Sequence, residues 1–503
     1  MSQSLPTEQP LSLASLLAGA EFKRAADIHL ASCSADSRTC RPGDVFVALG
    51  GANTDGHEFV AEALARGARA IVAERELAVE VPQCVVPDAR EAYGQICQAL
   101  AAQPSQALKV IGITGTNGKT TTAHLVASVL ETAGARTGLL GTLGYHDSLD
   151  FENADLTTPT APALAAWLAR MVAHGCSHAV MEVSSHALSQ RRVAGVSFAH
   201  VCLTNLRRDH LDYHRDLAEY HHAKLSVFND LSPRGTAVIN ADDPASMAAS
   251  PLLPGRVLTI GIQRAADVTA TVIERFKSEQ TFVISAGNVA ATVRTTMIGD
   301  HHIYNCLSAA ALGLAEGIDL PTIARGLEAV VRVPGRMERI ECGQPFGVFV
   351  DFAHTPDALA ASLTALREVT VGRVLCVFGA GGNRDTEKRP LMGHTVEALA
   401  DLAIVTSDNP RQEDPRRIAA DIFSGLLRPG DARWMPEREL AIHYALSLAG
   451  PDDTVLIAGR GHETHQIIGD TRLPLDDREV ARRYLYNLEP SSQYGSLASV
   501  ANS

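Results

Sequence analysis

The run Gly112-Ile113-Thr114-Gly115-Thr116-Asn117-Gly118-Lys119-Thr120-Thr121 constrains this chain more than any other feature. It follows an apolar, β-branched stretch at 108–114 and opens a helix predicted from Lys119 to Thr132. A Gly-rich turn between strand and helix aims backbone N–H groups and the helix N-terminus at an anion. Lys119 supplies a charge for the terminal phosphates of a nucleotide, and a hydroxyl of Thr120 or Thr121 can reach Mg²⁺. The strict pattern G-x-x-x-x-G-K-[ST] fails by one residue, since its first Gly falls on Ile113. An ordinary Gly-rich turn is the rival reading; strand, turn, GKT and helix together favour the nucleotide.

The same alternation occurs on both sides of this loop. Before it, a strand at 44–49, a helix at 59–66, a strand at 70–73 and a helix at 88–101 predict a small α/β unit. After it come apolar strands at 179–183, 200–203 and 237–239, and then a third alternation with strands at 347–351, 374–378, 402–406 and 454–458. Strands alternating with helices predict doubly wound, largely parallel sheets, so the fold class is α/β with three domains. With 503 residues, three domains also agree with a size of roughly 100–200 residues each. The expected boundaries are 1–107, 108–334 and 335–490, with hinges near Ala107 and at Val333-Pro334-Gly335, and a Ser-rich disordered tail at 491–503. In open α/β sheets, ligands bind beyond the carboxyl ends of the strands, so the loops there are where chemistry is expected.

A net charge of −13 argues against a nucleic-acid binder, which carries a basic footprint. No apolar run of about 18 residues offers a membrane span, and the N-terminus MSQSLPTEQP lacks the plan of a signal peptide. The nine cysteines form no CxxC pair, as expected of reduced thiols in a cytoplasmic protein. Glu182 closes the strand in MEVSSH, and His210 lies in TNLRRDHLDYH. A carboxylate, phosphate oxygens, water and an occasional imidazole suit Mg²⁺. Read alone, Lys224 in EYHHAKLSVF is a solvated helix lysine.

The variant loop TGTNGKTT resembles that of the Mur ligase superfamily, which includes the folylpolyglutamate synthetases. The resemblance covers nearly the whole chain. It implies an N-terminal domain for the UDP part of a substrate, a central ATP-binding domain and a C-terminal Rossmann-like domain for the incoming amine. It implies that Gly115, Thr116, Asn117, Gly118, Lys119, Thr120 and Thr121 hold ATP. Asn305 matches an adenine contact, and Arg336 and Asp351 match γ-phosphate and ribose contacts. The family's further Asn three residues before Asn305 is His302 here. Thr120, Glu182, His210 and Lys224 match the metal site, with Lys224 carried as an N-carboxylated, anionic oxygen donor. Lys119, Glu182, His210, Lys224 and Arg336 are thereby the expected catalytic set. Ser37, Ala52, Asn53 and Thr54 match uridine-binding turns. Thr157, Thr158, Ser184, Gln190 and Arg192 match positions that hold the peptide carboxylate and sugar.

The amine is read from the third block. Asp408-Asn409-Pro410-Arg411 resembles the signature of diaminopimelate-adding members, whereas lysine-adding members typically lack the Arg. Meso-diaminopimelate differs from lysine by one extra carboxylate. Arg411 and Arg384 can pair with that carboxylate, Glu463 can pair with the neighbouring amine, and Gly459 permits close backbone approach. A site built for an extra charge rejects a substrate without it, because its own charges are then left unpaired. The expected activity is ATP- and Mg²⁺-dependent ligation of meso-diaminopimelate to UDP-MurNAc-L-Ala-D-Glu, by a monomer acting on small molecules. The rivals are the lysine-adding enzyme, the D-Ala-D-Ala-adding enzyme, a folylpolyglutamate synthetase and, more remotely, a GTPase-like regulator. The last would need an N-K-x-D motif, which the chain lacks.

Overall fold

Strand Lys109–Thr114 is buried along nearly its whole length and sends alternate residues into two different cores. Ile111 and Ile113 face a cluster shared with the helices Lys119–Thr132, Asp300–Ala315 and Leu320–Glu328. Val110 faces a second cluster with Leu164, Trp167 and Leu168 of the helix Ala161–Ala173. Such a two-faced strand reads as a continuous apolar run because both of its sides leave water. The computed structural model of this protein describes residues 10–51 and 54–486. Ala52, Asn53 and the tail expected at 491–503 lie outside the described residues, as do 1–9 and 487–490.

Three larger sheets organise the chain. The first has five strands within 21–85, with its middle parallel and Glu21–Lys23 antiparallel at one edge. The central sheet has eleven strands. Lys109–Thr114 lies between His178–Glu182 and Phe198–Leu203, parallel to both. Beyond these the sheet continues through Leu231–Asn240 and Arg256–Gly261. The third sheet has six strands, with Thr454–Ala458 inserted between Gly347–Asp351 and Val374–Phe378, and Leu402–Val405 beyond.

The central sheet departs from the purely doubly wound expectation at both edges. Val268–Arg275, Gln280–Ala286 and Val289–Thr295 form an antiparallel meander, and Gly144–His146 pairs antiparallel with Phe151–Glu152. The meander alternates buried Phe282 and Ile284 with half-exposed neighbours, which is the period of a sheet with one wet face. Smaller differences are of length. The strand expected at 237–239 spans Leu231–Asn240, and that expected at 44–49 shrinks to Val45–Val47. The helix expected at 59–66 is a 3₁₀ turn, Gly56–Phe59, followed by Val60–Ala65.

The third sheet is tied to the last helix, Asp477–Tyr486, by a fully buried ion pair. Arg438 donates to both oxygens of Asp477 at 2.9 and 2.8 Å, and to the Ala458 carbonyl at 2.8 Å. Removing one member of a buried pair strands the other charge in a low dielectric. Asp477→Ala is therefore expected to cost about 3–5 kcal/mol. Urea denaturation followed by Trp434 fluorescence in a Trp167→Phe background measures this. A loss below about 1 kcal/mol, the value of an exposed pair, contradicts it.

Candidate active site

The phosphate loop depends on two glycines in left-handed conformations, Gly115 at φ +135 and Gly118 at φ +86. A Cβ on Gly115 would lie 1.9 Å from Thr204 Oγ1, and one on Gly118 would lie 2.4 Å from Asn305 Oδ1. No larger residue fits at either position without displacing its neighbour. The loop is braced by the end of the next strand. Thr204 Oγ1 donates to the Asn117 carbonyl at 2.6 Å, Asn205 Oδ1 accepts from Asn117 N–H at 3.0 Å, and the Asn205 carbonyl accepts from Thr116 N–H at 3.0 Å. Gly118 offers no side-chain cap, so the first turn of the helix Lys119–Thr132 is left for a ligand.

A half-buried lysine and a buried one converge on the same carbonyl. Lys119 Nζ donates to Gly115 O and Thr116 O, both at 2.9 Å, and Lys224 Nζ donates to Gly115 O at 2.7 Å. Lys224 is 1% exposed and lies over the Tyr220 ring, so its reading as a solvated lysine is overturned. Burial, and then the charge on Lys119, hold its amine well below the usual lysine range. Desolvation likewise pulls His210 down to about 3, with the neighbouring Lys119 and Lys224 charges adding to the effect, so its imidazole is neutral near pH 7.

Glu182 and Thr120 make the oxygen-rich corner. Thr120 Oγ1 donates to Glu182 Oε2 at 2.9 Å, and Thr142 donates to both carboxylate oxygens, through N–H at 2.7 Å and Oγ1 at 3.1 Å. A buried carboxylate beside a helix-terminal hydroxyl, with a neutral imidazole close by, is a donor set that fits a hard divalent cation. Arg336 crosses to this corner from the segment leading into the third sheet. Its Nη2 donates to Thr120 Oγ1 at 3.0 Å, and its guanidinium stacks 4.4 Å from the Phe352 ring centre.

The other nucleotide candidates have partners of their own. Asn305 Oδ1 accepts from Thr122 Oγ1 at 3.2 Å. Asp351 accepts from Met337 N–H, Phe352 N–H and Ser362 Oγ at 3.1, 2.8 and 2.5 Å, which pins the segment carrying Arg336. His302, three residues before Asn305, is buried with neither ring nitrogen hydrogen-bonded among the described residues.

The peptide-side candidates gather where His178–Glu182 ends. Thr158 Oγ1 donates to the Glu182 carbonyl at 2.9 Å and accepts from Ser184 N–H at 3.0 Å, and Thr157 Oγ1 meets Thr142 Oγ1 at 3.1 Å. Arg192 donates to Thr158 O and Gln190 Oε1, while Arg191 turns away to Asp88 at 3.1 Å. Ser37 and Thr54 lie apart, on loops of the first sheet. The Ser37 hydroxyl already donates to Glu62 at 2.8 Å, and the Thr54 carbonyl accepts from Gly51 N–H.

The third-sheet loops dock on one another. Gly382 N–H donates to Asn409 O at 2.9 Å, Arg411 Nη1 donates to Gly382 O at 3.0 Å, and a Cβ on Gly382 would lie 1.9 Å from the Pro410 carbonyl. Gly459, at φ +114, lets Asp408 approach, since a Cβ there would sit 2.6 Å from Asp408 Oδ2. That oxygen is buried without a hydrogen-bond partner among the described residues. Glu463 accepts from Asn409 Nδ2 at 2.7 Å, and burial followed by the Asp408 charge raises its carboxyl. Two facing carboxylates, one with an orphan oxygen, make a pocket suited to an ammonium group. Arg384, Arg411 and Asp408 all border Gly381, where a Cβ would lie 3.6, 3.0 and 4.0 Å from their nearest atoms.

Sequence reading missed Thr142, Thr204 and Asn205. Thr204 and Asn205 belong to the TNLRRDH run that contains His210, and their position just past a strand end was the available signal. Thr142 follows a Gly-rich strand and had none.

Comparison with known proteins agrees with this arrangement. Family models match residues 29–109 as "Mur ligase family, catalytic domain", 113–313 as "Mur ligase middle domain" and 335–461 as "Mur ligase, glutamate ligase domain". A UDP-N-acetylmuramoyl-L-alanyl-D-glutamate–2,6-diaminopimelate ligase of Geobacillus thermodenitrificans is 43% identical over 478 residues, covering 93% of this chain and 98% of that protein. One of the same description from Synechococcus elongatus is 43% identical, covering 91% and 94%. A solved structure of a ligase of that description superposes with TM-score 0.67 at 30% identity, covering 95% of this chain and 99% of that one. A Mycobacterium tuberculosis folylpolyglutamate synthase, solved with ADP and AMPPCP, shares the fold at TM-score 0.60 and 20% identity. With its phosphate loop, its three sheets and relatives alike from end to end, the chain belongs to the Mur ligase family.

Proposed function

We propose that this protein joins meso-2,6-diaminopimelate to the D-Glu γ-carboxylate of UDP-MurNAc-L-Ala-D-Glu, with ATP converted to ADP and phosphate, in the cytoplasmic synthesis of peptidoglycan precursor. The observation that carries this reading is the pocket of Asp408, Glu463, Arg384 and Arg411 on a chain 43% identical, almost end to end, to ligases of that description. Nine free thiols and the absence, among the described residues, of a helix able to cross a membrane agree with the cytoplasmic setting.

In this mechanism Gly115–Thr121 wraps the phosphates of ATP, and Lys119 and Arg336 face the γ-phosphate from two sides. The γ-carboxylate of D-Glu attacks that phosphate, ADP leaves, and an acyl phosphate forms. Alignment and fixed positive charge supply most of the rate. Thr120, Glu182, His210 and a carbamylated Lys224 would hold Mg²⁺, which neutralises phosphate charge. The neutral amine of diaminopimelate then attacks the acyl carbon, loses a proton, and expels phosphate to leave the amide. Arg384 and Arg411 hold the distal carboxylate, and Asp408 and Glu463 hold the distal ammonium. Lys224 suits carbamylation because burial shifts its amine toward the unprotonated form, which is the nucleophile for CO₂, giving N–COO⁻ and one proton. The product removes the charge conflict with Lys119.

Phosphate release with UDP-MurNAc-L-Ala-D-Glu is expected with meso-diaminopimelate, and to favour it over L-lysine by about 10⁴ in kcat/KM. Preference for lysine refutes the specificity, and silence with both refutes the ligase. Lys224→Ala is expected to lower kcat by about 10²–10³, with partial recovery in high concentrations of formate or acetate. An unaltered kcat removes Lys224 from the machinery.

A further inference from the structure

Arg384 is not held by its own domain. Its guanidinium is about half exposed, and its one ion pair among the described residues runs from Nη1 to Asp212 Oδ2, at 3.3 Å. Asp212 belongs to the central unit, two residues after His210 and on the same turn, where the His210 carbonyl accepts from Tyr213 N–H and His214 N–H. This contact is part of a row across the cleft. Arg208 pairs with Asp385 at 3.4 Å and with Glu387 at 2.5 Å, and Lys388 lies 3.9 Å from Asp209. The 208–212 turn therefore lies along the 384–388 segment, and Asp212 is its member nearest the amine pocket.

The pocket needs such a member. A Cβ on Gly381 would lie 3.0 Å from Arg411 Nη1 and 3.6 Å from Arg384 Cγ, so the two arginines stand side by side. Burial and then the Arg384 charge lower Arg411; Asp408 and Glu463 counter this from within the domain, and Asp212 adds to them from across the cleft. Arg411 is anchored to the Gly382 and Asn409 carbonyls, but Arg384 has no such anchor among the described residues. A long, unanchored side chain beside a like charge drifts toward water. Each rotamer it must give up on binding weakens the complex. Asp212 uses only one terminal nitrogen, which leaves Nη2 and Nε for a second carboxylate.

We propose that Asp212 is a positioning residue for the amino-acid substrate. From the central domain it holds Arg384 against Arg411, so that both guanidiniums meet the distal carboxylate already in place. The inference rests on the function proposed above and adds that the amine pocket is completed only when the 208–212 turn is seated on it.

The test is a steady-state cycle on the full-length enzyme, with wild type, Asp212→Asn, Asp212→Glu, Arg384→Ala and the Asp212→Asn/Arg384→Ala double variant. Asp212→Asn is expected to raise the KM for meso-diaminopimelate about tenfold, the size of one charge-assisted hydrogen bond. Its kcat and its KM for ATP should stay within about twofold, since Arg384 touches neither the nucleotide nor the reacting atoms. Asp212→Glu should recover most of the loss, and the double variant should be no worse than Arg384→Ala alone. An unchanged KM in Asp212→Asn, or a double variant showing the product of the two single losses, overturns the proposal. A fall in kcat with equal rises in both KM values shows a merely structural role and overturns it as well. Wild type that turns over diaminopimelate while Asp212→Asn matches it defeats this inference alone. Wild type silent with diaminopimelate defeats the functional reading, and this inference with it.

Discussion

The carbonyl of Gly115 is the point on which the rest of the site is built. It can face two lysines only because the residue carrying it takes a left-handed conformation that a side chain would forbid. Lys119 reaches it from the helix that the loop opens, and Lys224 reaches it from a helix more than a hundred residues further on. One oxygen between two ammonium groups is an underbalanced arrangement. Burial first, and this crowding of like charge second, lower the Lys224 amine, and the same crowding suits the anionic end of a nucleotide. The threonine and asparagine that close the neighbouring strand hold the turn rigid, so the charge does not have to be organised when a ligand arrives.

At the nucleotide corner the two halves of the chemistry meet through Arg336. Arg336 hydrogen-bonds Thr120, and Asp351 fixes the backbone next to Arg336, so the start of the third sheet is wired to the corner where Glu182 sits. Gly335, just before it, is pressed on the 461–462 backbone, where a Cβ would lie 2.1 Å from His462 N.

The parts legible in sequence were those with a strong local code. Buried parallel strands spell themselves as apolar runs, and the bounds Gly347–Asp351 and Val374–Phe378 were readable for that reason, while the helix Lys119–Thr132 was readable from the GKT turn that opens it. The meander at 268–295 was missed because its half-wet strands dilute the apolar signal with Thr, Arg and Glu. At the site, the glycines and Lys119 could be read from spacing alone. Lys224 could not, because a buried lysine and a solvated one look identical on a polar helix. Its burial comes from tertiary packing against Tyr220 and the phosphate loop. Ser37 and Asp351 were chosen as ligand contacts, and both spend their hydrogen bonds on neighbouring protein groups here. That is information a pattern does not contain.

The orphan oxygen of Asp408, facing Glu463, has a consequence for stereochemical bookkeeping. A carboxylate with a free oxygen favours the protonated form of an amine lodged beside it, and a protonated amine cannot attack. On the function proposed above, of the two chemically similar ends of a symmetric diamino diacid, the one seated against these carboxylates would be silenced, and only the opposite end would shed its proton and react. Polarity in the pocket would then set which way round a nearly palindromic molecule is joined.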